Sequence, residues 1–340
     1  MTKLIQAGLP YGTEDLHPPP RSKAKQHVVR CYVRGCTHEI RTPTRSTRGE
    51  RCPDHGIVCH HSTVGGTYTY GDPRRNIIVS AGMMKEKIIG HPFKFESHRL
   101  GLERSEDALS WNVFRSLQEA RQLARIAQQV TGDKCSFEPQ LLLWGIDCSD
   151  DSFESWDLLI RGRKRFESCL PVDRPYTEPD IALFLPGRYL ILIEAKFTSF
   201  NTFYERGPRR DSSSLTFEEL LHLYAAPELQ ILDYAKAAQA HRIFYQLWRN
   251  TTFAEWMAKQ DHPATRAFHV NLVRRGQDEA SAREFSGLVR PEFHDRFQQW
   301  SWESVYELYR DVPQLNRLRR YLETKSAGLR VAFDLPRSSS

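Results

Sequence analysis

The 340-residue sequence has no apolar run approaching the roughly 18 residues that a membrane-spanning helix needs. Its first residues include Glu14 and Asp15 and lack the long apolar stretch of a signal peptide. No G-x4-G-K-[ST] sequence is present, which excludes a P-loop nucleotide site and assigns any ATP-driven step to a separate partner protein. We therefore expect a cytoplasmic protein that has no membrane partner.

The composition also argues against disorder. Apolar residues make up 40% of the chain, aromatic residues 11% and charged residues 26%, as in a globular protein with a substantial core. The net charge is only +6, but nine Lys or Arg against two Glu lie between Arg21 and Arg51, a local net of +7. Such an excess is expected of a surface that contacts phosphate groups, with a solvated basic tail as the alternative.

Four of the seven cysteines lie close together in the chain. Cys31 and Cys36 form one close pair, and Cys52 and His55 form a second pair after fifteen intervening residues. Thiolates and imidazole in two pairs separated by a loop are typical of structural zinc sites. One of these four ligands, most readily His55, could be replaced by a nearby residue. The three candidates are Cys59, His60 and His61. Unliganded buried cysteines are the alternative.

Composition and hydrophobic periodicity divide the chain into three regions. We expect a flexible arm over 1–25, a zinc-binding and β-rich module over 26–98, and an α/β domain over 99–335. The expected elements are strands at 67–70 and 76–80, a single amphipathic helix over 105–132 that begins at the N-cap Ser105, a strand within 139–146, irregular chain over 147–178, strands at 180–185 and 188–197, helices at 215–225 and 228–249, a strand at 267–275, and one or two helices over 301–325.

The most informative pattern is Pro179-Asp180, thirteen residues, and then Glu194-Ala195-Lys196. Pro186-Gly187 between two apolar runs predicts a hairpin. If Leu185 pairs with Tyr189 across a three-residue loop, Asp180 lies opposite Glu194, on the face that Lys196 shares. A two-residue loop would place Asp180 on the wrong face, so we predict an odd-length loop or a bulge.

Two carboxylates and a lysine at the end of buried strands must be paired with opposite charges or bound to a metal ion, because an unpaired buried charge is costly in free energy. Mg²⁺ is suited to this place, since it binds hard oxygen ligands and retains several waters. Near a phosphate it would activate water, and Lys196 would orient that water or stabilise negative charge. The alternative is that Asp180 merely begins a strand and that Glu194 and Lys196 are an exposed edge pair.

Asp180, Glu194 and Lys196 resemble the signature of the PD-(D/E)XK nuclease superfamily, which has a restriction-endonuclease-like fold. The resemblance implies an α/β core with a central mixed sheet flanked by helices, here joined to the small zinc-stapled module. It implies Mg²⁺-dependent hydrolysis of phosphodiester bonds. We expect the substrate to be DNA and the protein to be an endonuclease in restriction, defence or repair, with Asp180 and Glu194 as ligands of Mg²⁺ or Mn²⁺. It also implies an acidic residue on the first helix, best matched by Glu106, with Glu103 and Asp107 as alternatives.

Gln230 and Tyr234 resemble the Q-x3-Y element of RecB-type members, and on one helix they would share a face. Because double-strand cleavage by a single-site fold usually requires two copies, a homodimer is expected as a partner arrangement. Two other functions stay open: a non-catalytic nucleic-acid-binding protein with a degenerate nuclease fold, and a nuclease that acts on RNA.

Seven arginines are candidates for contacting the DNA backbone, which gives salt-sensitive and largely sequence-blind affinity. Five surround the cysteines: Arg34, Arg41, Arg45, Arg48 and Arg51. Arg163 and Arg209 lie in basic segments that we expect to form loops beside the hairpin. The zinc module could read bases or serve only as a structural lid.

Overall fold

The computed structural model describes residues 11–19, 27–44, 46–62, 65–88, 100–134, 136–149, 152–170, 177–207 and 215–336. Arg45, Arg209 and most of the expected arm lie outside these residues. The chain forms two compact units: unit 1 comprises Met1–Ala120 and Tyr306–Ser340, and unit 2 comprises Arg121–Val305. Within the described residues, no helix has the length and apolar character needed to cross a membrane.

The helices are α1 (Ala81–Met83), α2 (Glu106–Glu119), α3 (Leu123–Thr131), α4 (Asp157–Phe166), α5 (Phe217–Leu223), α6 (Tyr234–Ala237), α7 (Tyr245–Asp261), α8 (Glu279–Ser286), α9 (Trp302–Tyr309) and α10 (Asn316–Thr324). The strands are β1 (Val28–Arg30), β2 (Glu39–Arg41), β3 (Ile57–Ser62), β4 (Gly65–Tyr70), β5 (Gln140–Leu143), β6 (Ile146–Asp147), β7 (Ile181–Leu185), β8 (Tyr189–Ala195), β9 (Phe203–Glu205), β10 (Arg242–Phe244), β11 (Arg266–Val273), β12 (Phe297–Ser301), β13 (Ser326–Ala327) and β14 (Arg330–Val331).

Unit 2 is built on a six-stranded mixed sheet, which confirms the predicted fold class. The strand order is β12-β11-β8-β7-β5-β6. β12, β11 and β8 are parallel, whereas β8, β7, β5 and β6 pair antiparallel. Every residue of β8 is buried, as expected for a central strand covered on both faces. Helix α7 packs against β8 and β11 and covers one face of the sheet.

The hairpin β7–β8 has the predicted register. Leu185 pairs with Tyr189 across the three-residue loop 186–188, and Ile181 pairs with Ile193. Gly187 has a φ of +70°, a conformation that glycine adopts without a steric penalty. Its N–H donates to Asp261 Oδ2 at 2.8 Å, which fixes this end of the hairpin. By the same register, Asp180 lies opposite Glu194 at the other end.

Unit 1 contains a small core around the cysteines. Buried residues of this core include Cys31, Cys36, Cys52 and Cys59, together with Tyr68. Part of the expected arm is folded here: Leu16 is buried and forms a β-bridge with Val33. Farther along the chain, Glu103 is buried and accepts hydrogen bonds from Thr67 Oγ1 (2.7 Å) and the Leu329 N–H (2.9 Å). Glu103 therefore joins the C-terminal segment to this unit.

Several predicted elements were wrong in detail. The expected helix over 105–132 is two helices, because Arg121 has a φ of +54° and interrupts the helical backbone. Its start was correct, since the Ser105 side chain accepts from the Ala108 N–H. The run 139–146 contains the expected strand as β5, but the chain turns at Trp144–Gly145, both with positive φ, into the second strand β6. Residues 76–80 contain no strand.

Two further errors concern helices. The segment expected to be irregular contains α4, so Arg163 lies on a helix and not in a loop. The expected helix over 228–249 is α6, β10 and the beginning of α7. Two strands were not predicted. β3 pairs with β4 to form a hairpin, and β12 forms one edge of the central sheet.

Leu192→Ala should destabilise unit 2 by about 2–5 kcal/mol, because Leu192 is fully buried on β8 and the substitution leaves a cavity. Urea unfolding followed by tryptophan fluorescence measures the change. Arg188→Ala, in the exposed hairpin loop, serves as the control and should alter stability by less than about 0.5 kcal/mol. Equal effects of the two substitutions would contradict the central position of β8.

Candidate active site and metal centre

The side chain of Glu194 is the centre of a buried polar cluster. It is 1% exposed on β8, and Lys196, two residues later on the same face, is 6% exposed. Lys196 Nζ donates to Glu194 Oε1 at 2.5 Å. From α7, Gln246 Nε2 donates to Oε1 and Asn250 Nδ2 donates to Oε2, both at 2.6 Å. The carboxylate therefore has one cationic and two amide donors.

These neighbours keep Glu194 ionised. Burial alone would raise the pKa of Glu194, but Lys196 and then Arg249 hold it below the usual value. Arg249 is itself buried, and its Nη1 lies 3.2 Å from the Tyr245 hydroxyl. The site is thus an arrangement of buried charges that are stabilised by pairing with one another.

Asp180 lies one residue before β7 and is half-buried. Its Oδ2 accepts from the Ala195 N–H at 2.8 Å, and its carbonyl oxygen accepts from the Trp144 N–H. The first bond fixes the Asp180 carboxylate beside the end of β8, next to Glu194 and Lys196. The structure therefore brings the three predicted residues together, while their catalytic role stays a prediction.

The structure does not show the predicted Q-x3-Y element, because Gln230 and Tyr234 do not lie on one helix. Gln230 precedes α6 and is exposed, and only Tyr234 lies on that short helix. The Tyr234 hydroxyl donates to the Tyr224 carbonyl oxygen. The pair that reaches Glu194 is Gln246 and Asn250, four residues apart on α7. The Q-x3-N spacing is the sequence signal that could have identified it.

A row of polar residues extends from the hairpin across the sheet. Asn271 on β11 pairs with Glu194, and Gln299 on β12 pairs with Asn271, so their side chains share one face. Asn271 is fully buried and accepts from Asn201 Nδ2 at 3.0 Å. The row was not predicted, although Asn271 lies between two apolar residues, Val270 and Leu272.

The remaining acidic candidates lie in unit 1. Glu106 is the first residue of α2, with Asp107 beside it, whereas the hairpin lies in unit 2. Glu103 is occupied by the hydrogen bonds that join it to Thr67 and Leu329. Recruitment of Glu106 to the metal is therefore still a prediction.

The four predicted zinc ligands form one cluster. The ligand atoms of Cys31, Cys36, Cys52 and His55 all lie within 4.8 Å of one another. Cys36 Sγ and Cys52 Sγ are 3.7 Å apart, and His55 Nδ1 lies 3.4 Å from Cys52 Sγ. A tetrahedral ion with Zn–S bonds of about 2.3 Å places its ligands roughly 3.7 Å apart, so the cluster fits zinc.

Without a bound cation, two of these thiols are held in the protonated form. A hydrogen bond with Cys59, together with burial, raises the pKa of Cys31, and burial raises the pKa of Cys52 to about 12. Zinc would replace these protons, because thiolate is its ligand. The alternative zinc ligands Cys59, His60 and His61 are not part of the four-donor cluster found among the described residues. His60 Nε2 instead forms a hydrogen bond with Thr69 Oγ1 at 2.8 Å.

Four of the predicted DNA-contacting arginines are exposed in unit 1: Arg34, Arg41, Arg48 and Arg51. Arg41 pairs with Glu50 at 3.6 Å, and both side chains are largely exposed, so this pair adds little stability. In unit 2, Arg163 is half-buried and its Nε donates to the Thr177 carbonyl oxygen at 2.7 Å. The exposed group near the cysteines is therefore better suited to phosphate contact than Arg163.

One comparison with known proteins gives a match. Residues 100–325 match the model of a family described as "Restriction Endonuclease associating with ARP". No curated protein and no solved structure matches the chain. The matched region contains the entire hairpin, α7 and the polar row, and it begins after the four zinc ligands.

Cys52→Ser should remove most of the bound zinc, because the three remaining donors cannot close a tetrahedral site. Elemental analysis of the purified protein measures the metal. Cys59→Ala is the matched control, since Cys59 lies in the same core but outside the four-donor cluster. Loss of zinc in Cys59→Ala with retention in Cys52→Ser would contradict the assignment.

The stability of unit 2 should fall as the pH drops from about 6.5 to about 4, because burial lowers the pKa of His269 to about 4. In this range the unfolded chain binds the proton that the folded chain does not. The contribution reaches about 1.4 kcal/mol per pH unit.

Urea unfolding at several pH values measures this slope. His269→Leu should make the slope shallower, whereas His241→Leu, at an exposed position, should leave it unchanged. The same slope in both variants would rule out His269 as the titrating group.

Proposed function

Because the chain belongs to the family of restriction endonucleases associating with ARP, we propose that it is a metal-dependent nuclease that hydrolyses DNA phosphodiester bonds. Family membership indicates the nuclease class. The proposal of metal-dependent DNA hydrolysis rests on the hairpin register, in which Asp180 lies opposite Glu194 and Lys196 lies on the same face. We assign Asp180 and Glu194 as metal ligands and Lys196 as the catalytic cation.

The residues around Asp180 and Glu194 suit a hard divalent cation such as Mg²⁺ or Mn²⁺. Both side chains supply carboxylate oxygens, the donors that these ions prefer. Asn250 adds a third oxygen, because its Oδ1 is buried and has no hydrogen-bond partner among the described residues. An unsatisfied buried oxygen beside an ionised carboxylate is costly unless a cation or water reaches it. This donor set is therefore the basis for proposing the ion.

Such an ion would polarise the scissile phosphate and lower the pKa of an attacking water. The protein groups supply the rest. Lys196 Nζ lies in a water-poor site, where its charge stabilises developing negative charge on phosphate oxygens more strongly than in solvent. Gln246 is a positioning residue, since its Nε2 holds one oxygen of Glu194. Asn250 holds the other oxygen through its Nδ2, while its Oδ1 is the proposed third donor to the ion.

Two observations support DNA as the substrate: the chain belongs to a restriction endonuclease family, and it has a basic surface. The four exposed arginines near the cysteines would hold phosphates without reading sequence. The family description also names ARP as an associated protein, which supports a partner protein for this chain. A homodimer remains the arrangement that we propose for double-strand cleavage.

Asp180→Asn, Glu194→Gln and Lys196→Met should each lower the cleavage rate by about 100-fold or more, because the first two weaken the metal site and the third removes the cation that acts on the reacting phosphate. Supercoiled plasmid, linear duplex and an RNA of the same sequence are incubated with and without added Mg²⁺. Omitting Mg²⁺ tests the catalytic ion without a chelator, so the zinc site stays loaded.

Asp261→Asn is the matched control, because Asp261 also accepts from a hairpin N–H at 2.8 Å but at the opposite end of the strands. It should cleave like the wild type. Full cleavage by Asp180→Asn and Lys196→Met, with the fold intact by circular dichroism, would refute the assignment. Faster cleavage of RNA than of DNA would refute the proposed substrate.

A further inference from the structure

Phe200 is a large apolar side chain that lies in solvent. It is 65% exposed, four residues after Lys196. Single exposed apolar residues are common and need no explanation by themselves. The hydrogen bonds on both sides of Phe200 distinguish it from an ordinary surface residue.

The chain on either side of Phe200 is anchored to the loop that follows β11. Gln277 Nε2 donates to the Ser199 carbonyl oxygen at 2.5 Å. The Asn201 N–H and Nδ2 both donate to Asp278 Oδ2, at 3.2 and 2.5 Å. Because the residues before and after it are fixed, Phe200 is held outward instead of folding onto the core.

This anchored loop lies at the proposed active site. Asn201 Nδ2 also donates to Asn271 Oδ1 at 3.0 Å, and Asn271 is the direct neighbour of Glu194 in the sheet. Neighbouring strands are about 4.8 Å apart, and paired residues share a face. The loop therefore folds back over the end of β8 where Glu194 and Lys196 lie.

The same pair of loops carries positive charge. The guanidinium of Arg274 lies 5.9 Å from the centre of the Phe197 ring. Arg275, the next residue, is exposed. Phe197 is itself buried, so the exposed ring of this surface is Phe200, and the arginines lie on the loop to which its neighbours are hydrogen-bonded. Exposed aromatic rings on a positively charged surface bind single-stranded nucleic acid, by base stacking and phosphate contact.

We propose that the loops 197–201 and 274–278 bind a single-stranded segment of DNA at the cleavage site, with Phe200 stacked on an unpaired base and Arg275 on a phosphate. The inference rests on the proposed nuclease function and names its substrate class. A base inside a duplex already stacks on both neighbours, so Phe200 would select DNA with an unpaired nucleotide beside the scissile bond.

The test is the affinity of the full chain for fluorescein-labelled single-stranded and duplex oligonucleotides, by anisotropy, with Ca²⁺ in place of Mg²⁺. Phe200→Ala should weaken single-strand binding by about 5- to 100-fold, the effect of losing one stacked base, and duplex binding by less than about twofold. Phe200→Trp should bind single strands like the wild type, and Phe200→Leu like the alanine variant. Arg275→Gln should reduce the slope of log affinity against log salt concentration by about 1.

Matched controls lie at the opposite end of the sheet. Phe137 is 66% exposed and precedes β5, whose Gln140 pairs with Phe184 near the hairpin turn. Arg188 is exposed within that turn. Phe137→Ala and Arg188→Gln should bind both oligonucleotides like the wild type.

Several results would overturn the proposal: wild-type single-strand affinity in Phe200→Ala or Phe200→Leu, equal weakening of single-strand and duplex binding, or equal loss in Phe137→Ala. A failure here is distinguishable from a failure of the nuclease proposal. If Asp180→Asn is inactive while Phe200→Ala binds normally, only the present inference is wrong. If Asp180→Asn still cleaves, the nuclease assignment is wrong whatever the binding result.

Discussion

The buried carboxylate of Glu194 is the constraint around which unit 2 is organised. An ionised group that is 1% exposed in an apolar strand is tolerated only when charge and hydrogen bonds compensate it. Lys196 supplies the charge, and two amides one helical turn apart supply the bonds. Since both amides must reach one carboxylate, they also fix how α7 lies on β8. The geometry of the site and the packing of the core are therefore the same set of contacts.

The sequence was sufficient wherever a local rule determined the structure. The three-residue turn at Pro186-Gly187 set the register, and the register set which side chains meet, because strand residues alternate between faces. Ser105 marked the beginning of α2 through its cap, and the spacing of the cysteines gave all four donors of the zinc cluster. These features depend on neighbours in the chain and need no knowledge of tertiary contacts.

Prediction failed where the chain gives no local signal. Helix α7 begins at Tyr245 after Phe244, whose side chain makes no cap, so nothing in the sequence separated it from the preceding segment. Helix α4 likewise follows an uncapped Trp156. The break at Arg121 has neither glycine nor proline to indicate it, although the backbone there adopts a positive φ. In each case tertiary packing decides the boundary. For the same reason Gln246 and Asn250 were recognised only in the structure.

The hydrogen bond from Leu329 to Glu103 has a consequence for how the protein is made. Unit 1 is discontinuous, since residues from 306 onward fold with those before 121. A ribosome releases the N-terminal part of this unit long before the part that completes it. Unit 2 is continuous and can fold while synthesis proceeds, whereas Glu103 gains its hydrogen bond from Leu329 only after residue 329 has been translated. The contacts that close unit 1 therefore form after the whole of unit 2 has been synthesised.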